Sequence, residues 1–157
     1  MISSRAGAVI VLVIAALACR SSAATEPEVV PLSGGVPIPA SVVGTESVSM
    51  SLVPSLMITA QAGTVDVVLG VASTGCMIVE ASADRVGDVL QVHVSRRGDP
   101  AANCVPGSFG YLYLVRATDV PPGRYEIRVL DEVLGMPVRE AGRAQMVVPG
   151  VVAASHS

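Results

Sequence analysis

The residues able to do chemistry are few. Two histidines, His93 and His156, and three cysteines, Cys19, Cys76 and Cys104, are present in 157 residues. His93 falls in a stretch that alternates apolar and polar side chains, which places it on the solvent side of a strand. His156 falls in the segment 150–157, expected to be a disordered tail. Neither a nucleophilic triad nor a histidine-based metal site is easily assembled from this pair. No serine stands in a Gly-x-Ser-x-Gly elbow, and neither common glycine pattern for cradling phosphate occurs. The carboxylates Asp131-Glu132, and Asp84 with Asp88, sit beside predicted turns, where Asp serves local hydrogen bonding rather than acid and base work. The expectation is therefore no catalytic residue, no metal ligand and no cofactor.

Two other groups carry recognition chemistry. Arg97-Gly98-Asp99 has the composition that integrins recognise when a loop displays it, but Gly98 and Asp99-Pro100 are equally ordinary turn residues. Tyr111 and Tyr113, two apart on one strand face, either edge the core or flank a binding groove. They are the candidate binding residues.

The cysteines point to a compartment. Once Cys19 is withdrawn by lipidation or cleavage, Cys76 and Cys104 remain as an even pair, whose default outside the cytosol is a disulfide. Closing a ring of roughly 29 residues constrains the unfolded chain by about 3.5 kcal/mol in the loop-entropy model.

The elements that must position these groups are strands. The chain is 51% hydrophobic, with no Trp and only one Phe and three Tyr. A core of that kind is built from Val, Ala, Leu and Ile, a mixture that favours strands. The apolar period is two over 47–53, 64–71, 76–81, 89–95, 111–117, 124–130 and 144–148. In 89–95 the pattern turns Leu90, Val92 and Val94 inward and Gln91 and His93 outward. The span 96–110, with Gly, Pro and Cys104, reads as a long loop. Met50 and Met146 read as core filler. Residues 25–46, rich in Pro, Gly and Ser, read as a linker, with 29–32 as a possible short edge strand where Pro31 is tolerated. The expected fold is all-β, a single antiparallel β-sandwich of about seven or eight strands over 47–149.

One motif sharpens that expectation. Asp119-Val120-Pro121-Pro122-Gly123-Arg124-Tyr125-Glu126-Ile127-Arg128-Val129 resembles the entry into a late strand of immunoglobulin-like, fibronectin type III-like and transthyretin-like sandwich modules. The resemblance implies a tyrosine corner, with Tyr125 capping the core, its hydroxyl bonding back to the preceding loop, and Gly123 at the turn. Antibody-type domains carry a Cys two places after this Tyr, where this chain has Ile127. The Cys76 to Cys104 bridge is accordingly not the usual intersheet one.

The N-terminus predicts export. A short positive start ending at Arg5 precedes an apolar run of 13 residues, 6–18. At about 1.5 Å per helical residue this run spans roughly 20 Å, short of the roughly 30 Å hydrocarbon core, as a secretory signal is. Ala16-Leu17-Ala18-Cys19 resembles the lipobox of bacterial lipoproteins, which implies lipidation of Cys19 after a signal ending at residue 18. Ser22-Ala23-Ala24 is a competing small-x-small site that ends the signal at 24 and releases a soluble chain. Beyond residue 24 eight Arg face 13 acidic side chains, a charge of −5. That surface suits neither nucleic-acid backbones nor any partner read by clustered positive charge.

The function expected from these residues is that of a non-catalytic module of the cell envelope, or a secreted one, structural or bound to another envelope protein. It would meet the membrane only through an N-terminal lipid anchor. Binding of a small molecule or saccharide by the loop around Cys104 and the Tyr-bearing strand is the alternative, and a hydrolase is a third.

Overall fold

A computed structural model describes residues 29–104 and 107–150. The predicted signal, its Cys19 and the tail beyond Gly150 lie outside the described residues. The described residues form nine strands: β1 (Val36–Ile38), β2 (Ala40–Val48), β3 (Ser55–Gln61), β4 (Thr64–Ser73), β5 (Met77–Val86), β6 (Val89–Gly98), β7 (Phe109–Thr118), β8 (Gly123–Val133) and β9 (Arg139–Val148). They form a five-stranded sheet in the order β1-β5-β6-β8-β9 and a four-stranded sheet in the order β2-β7-β4-β3. The fold is the expected all-β sandwich. Between the sheets lie Val65, Val67 and Leu69 of β4, Leu90, Val92 and Val94 of β6, Val115 of β7, and Ile127 and Val129 of β8, each at 2% exposure or less. Period-two alternation puts these side chains on one face of every strand, and their burial is the main force holding the two sheets together.

The sandwich departs from the expected antiparallel pairing at one place: β6 and β8 run parallel. The cause is the path of the chain. β7, which separates them in sequence, lies in the other sheet, so the chain crosses over, reverses, and returns in the direction β6 already had. Alternation within a strand reports which face is buried but not which strand lies alongside.

The expected linker, 25–46, is corrected by the structure from Val36 onward. Pro37 is tolerated because β1 is a three-residue edge strand, and Pro39 falls where the chain passes from one sheet to the other. Its carbonyl accepts a hydrogen bond from Thr118 N–H at 2.8 Å. Residues 29–35 form no strand. They cross the outer face of the five-stranded sheet as a strap, with Leu32 N–H donating to Gln91 Oε1 at 2.9 Å and Val29 N–H to Val138 O at 3.4 Å. Gln91 and Leu130 point away from the core, yet both are buried. A covered outer face accounts for this. Gly35 is required in the strap because a Cβ there would stand 3.0 Å from both Asp84 and Val86 side-chain carbons.

Three further boundaries differ. The expected strand at 47–53 ends at Val48 and gives way to a single 3-10 turn, Met50–Leu52, started by Ser49 Oγ accepting from Ser51 N–H. Met50 is therefore exposed rather than core filler, while Met146 does pack against the core. β3 escapes the period-two reading because Leu56-Met57-Ile58 is apolar on both faces. The long loop expected at 96–110 is shortened at both ends, with β6 running on to Gly98 and β7 beginning at Phe109.

All inter-strand connections gather at two ends. The turns at 62–63, 87–88 and 119–122 close one end. The segments 49–54, 74–76, 99–108 and 134–138 close the other, which also holds the disulfide.

Candidate functional site

Cys76 lies where the chain crosses from β4 to β5, and Cys104 lies where it crosses back from β6 to β7. The two are joined in a disulfide with Cα atoms 5.6 Å apart. Two separate sheet crossovers are thus tied together. Beside the bridge, Arg97-Gly98-Asp99 is exposed at the end of a strand rather than carried on a free loop. Arg97 and Gly98 end β6, Asp99 N–H donates to Cys76 O at 2.9 Å, and Asp99 Oδ1 accepts from Ala101 N–H at 2.9 Å.

Tyr111 and Tyr113 face into the sandwich at this end, stacked with ring centroids 6.1 Å apart and planes 9° apart. They line an open cavity of about 300 Å³ with Val42, Thr45, Met77 and Val79. Tyr113 is 3% exposed, and burial pushes its hydroxyl above the usual phenol pKa because the phenolate is the form that loses solvation. Ser73, on the neighbouring strand, is also buried, and its hydroxyl beside Tyr113 offsets part of that rise. A second open cavity of about 440 Å³, lined by Leu56, Asp131, Arg139 and Glu140 among others, lies where β3 approaches β9.

Between the sheets at this end sits an ion pair that sequence reading missed. Arg96 Nε donates to Asp131 Oδ1 at 2.9 Å and Nη2 to Oδ2 at 2.5 Å, and Arg96 is only 6% exposed. The signal for it exists in the sequence. Leu90-x-Val92-x-Val94-x-Arg96 and Ile127-x-Val129-x-Asp131 each carry a charge onto the core face, and neighbouring strands bring the two together.

No known protein family, characterised protein or solved structure matches this chain.

The remaining predicted residues fall as follows. Tyr125 is 4% exposed, packs its ring against Gly123, and donates its hydroxyl to Pro121 O at 3.0 Å, so it closes the end opposite the disulfide. Tyr125→Phe removes that donor and leaves a partly buried carbonyl unpaired, at an expected cost of about 1 kcal/mol in urea unfolding. No change in the unfolding free energy would show that water replaces the bond. His93 lies on the outer face of the five-stranded sheet, its Nε2 2.9 Å from Glu132 Oε2 but off the line of a ring hydrogen bond. Among the described residues no cluster of His, Cys, Asp and Glu could hold a metal ion, and no helix is long and apolar enough to cross a membrane.

The two outer faces differ, although both carry ion pairs: on the four-stranded sheet Arg116 donates to both carboxylate oxygens of Asp66, at 2.7 and 2.9 Å. On the five-stranded sheet Glu140 accepts from Arg128 and Arg143, and Glu126 accepts from Gln145 and lies 3.6 Å from Arg143. Burial alone would raise the Glu140 pKa, but hydrogen bonds from Arg143 and Arg128 outweigh it and hold the carboxyl below its ordinary range. A lowered folded-state pKa contributes stability that is complete above the unfolded value and fades as pH falls through the folded one. The expected result is that Glu140→Gln is less stable than the native chain by about 0.5 to 1 kcal/mol at neutral pH, a small figure because solvent screens the exposed Arg143, and that the gap closes on acidification below the ordinary carboxylate range. Parallel urea curves across pH check both parts. On the four-stranded sheet the outer face carries Leu112, Leu114, Val68 and Met57, with Gly44 opening a cleft of about 430 Å³ beside Leu112 and Leu114. Met57 is 57% exposed.

Proposed function

We propose that this chain is an exported, non-catalytic module of the cell envelope that binds another envelope protein through the outer face of its four-stranded sheet. The observation that carries the binding reading is the contrast between the two outer faces. One is a ladder of ion pairs that satisfy one another, with the strap laid across part of it. The other, beyond its Asp66–Arg116 pair, presents half-buried Val68, Leu112 and Leu114 and exposed Met57 around a cleft that Glu46 also lines, the kind of patch that marks a protein contact. Export is supported by the apolar leader 6–18 and by the Cys76–Cys104 bridge, which belongs to oxidising compartments.

The test places a photo-cross-linking residue at Leu114 or, as control, at Gln145, in the chain expressed in a bacterial envelope. A discrete cross-linked partner from position 114 and none from 145 is the expected outcome. Equal cross-linking from both faces, or none from 114, overturns the reading. Intact mass of the same material, with and without reductant, reads the export half independently: a chain beginning at acylated Cys19 or at Thr25 supports it, and an unprocessed reduced chain overturns it.

A second reading has its own observation. The cavity lined by Tyr111 and Tyr113 has the aromatic wall that small molecules and saccharides stack on. With no Trp in the chain, tyrosine emission reports that wall, and saturable quenching by a saccharide panel, lost in Tyr111→Ala, is the outcome that would move the function there.

A further inference from the structure

The exposed large apolar side chains are denser at one end, although Val36 and Val147 are exposed on strands toward the other. Of the described Leu, Met and Phe side chains that are strongly exposed, Met50 and Leu52 lie on the β2–β3 connection, Phe109 at the start of β7, and Leu134 and Met136 on the β8–β9 turn. Only Met57 lies elsewhere. All five therefore sit at the disulfide end. The opposite end is closed by Ala62-Gly63, Gly87-Asp88 and the turn before Tyr125, none of which contributes an exposed large apolar side chain. Leu134 is 72% and Met136 60% exposed. A monomer in water gains nothing by raising such residues on turns.

The strap supplies a second, independent observation. It enters the fold at this same end, where Val29 N–H is bonded to Val138 O on the β8–β9 turn. Nine residues lie between Cys19 and Val29, ten Cα steps in all. At about 3.3 to 3.6 Å per extended residue they reach at most roughly 35 Å. A lipid on Cys19, or a leader held in the bilayer, would keep the disulfide end the nearer one to the membrane.

We propose that the disulfide end of the sandwich is a lipid-facing surface, with Met50, Leu52, Leu134 and Met136 inserting into the interfacial region of a bilayer. The inference rests on the export reading above for the presence of a membrane, but not on the protein contact at Leu114. The chain beyond residue 24 carries net negative charge, so insertion is driven by apolar burial rather than attraction to anionic headgroups, and it depends weakly on salt.

The lack of Trp makes the test direct, because a single introduced Trp reports its own surroundings. Leu52→Trp, Leu134→Trp and Met136→Trp probe the disulfide end, and Ala62→Trp and Asp88→Trp the other. The full chain, as processed by a bacterial host, is mixed with vesicles of phosphatidylethanolamine and phosphatidylglycerol, with or without brominated acyl chains. The expected result is blue-shifted emission and bromine quenching at 52, 134 and 136, with neither at 62 or 88. In addition, Leu134→Ser with Met136→Ser should weaken vesicle partitioning about tenfold or more. Both sites are exposed turns, so circular dichroism matching the native chain confirms the variant folds. Quenching at both ends alike, or none at 52, 134 and 136, overturns the proposal. The mass of the same sample separates this failure from a failure of export: an acylated, processed chain whose disulfide-end Trp stays wet refutes membrane seating while export stands.

Discussion

Asp131→Ala will cost this protein about 3 kcal/mol, a large share of the 5 to 15 kcal/mol that holds a domain of this size together. The reason is burial of the partner rather than loss of an attraction. Arg96 is 6% exposed and spends its guanidinium on the two Asp131 oxygens. Removing the carboxylate leaves a cation that cannot be deprotonated enclosed between the sheets. The cavity beside Asp131 is open, which admits some water and keeps the cost toward the lower end of what buried pairs show. Urea unfolding measures it, and the accompanying control decides the mechanism. Arg96→Met with Asp131→Leu replaces both charges by apolar groups of similar length and should recover most of the loss, because neither charge is then left without the other. A single variant within a few tenths of a kcal/mol of the native chain would mean that the guanidinium finds water instead. A double variant as damaged as the single one would mean that the pair contributes through shape.

The same pair shows how far the sequence could be read. Alternation correctly identified the core faces of β4 and β6, since burial on one face and solvent on the other is a local property written at every second residue. It did not reveal that Arg96 and Asp131 meet, because their encounter depends on β8 lying parallel to β6, and that neighbour relation is set by β7 leaving the sheet. Prolines misled for a related reason. Pro37 and Pro39 break a central strand but fit an edge strand and a sheet-to-sheet switch, and a local reading does not know which strand is an edge. The apolar outer face of the four-stranded sheet was hidden for the opposite cause. Leu112 and Leu114 interleave with Tyr111, Tyr113 and Val115, and a strand apolar on both sides gives no contrast by which to tell core from contact surface. Tyr125 and the Cys76–Cys104 pair were legible because each is fixed by its own motif or count rather than by distant pairing.

Reducing the Cys76–Cys104 bridge will lower the unfolding free energy by about 3.5 kcal/mol, through the unfolded chain more than the folded one. The cysteines are 28 apart in sequence and enclose the whole β5–β6 hairpin. Once unfolded, the oxidised chain remains a closed ring of that size, and the reduced chain regains the conformations the ring forbids. The folded state loses less, because the two crossovers remain joined by the Asp99 N–H to Cys76 O hydrogen bond and by the ladder from Met77 paired with Gly98 onward. Cys104 is exposed, so reductant reaches the bridge without prior unfolding. Urea curves with and without reductant, alongside a Cys76→Ala/Cys104→Ala variant, should therefore agree in midpoint. Hydrogen exchange in the folded reduced protein should quicken mainly over 99–104 and leave the β4–β7 pairing as protected as global stability allows. A loss below about 1 kcal/mol would mean that the unfolded chain keeps β5 and β6 together without the bridge. Exchange quickening selectively across β4 and β7 would instead place the bridge's contribution in the folded sandwich, as the clamp between its two sheets.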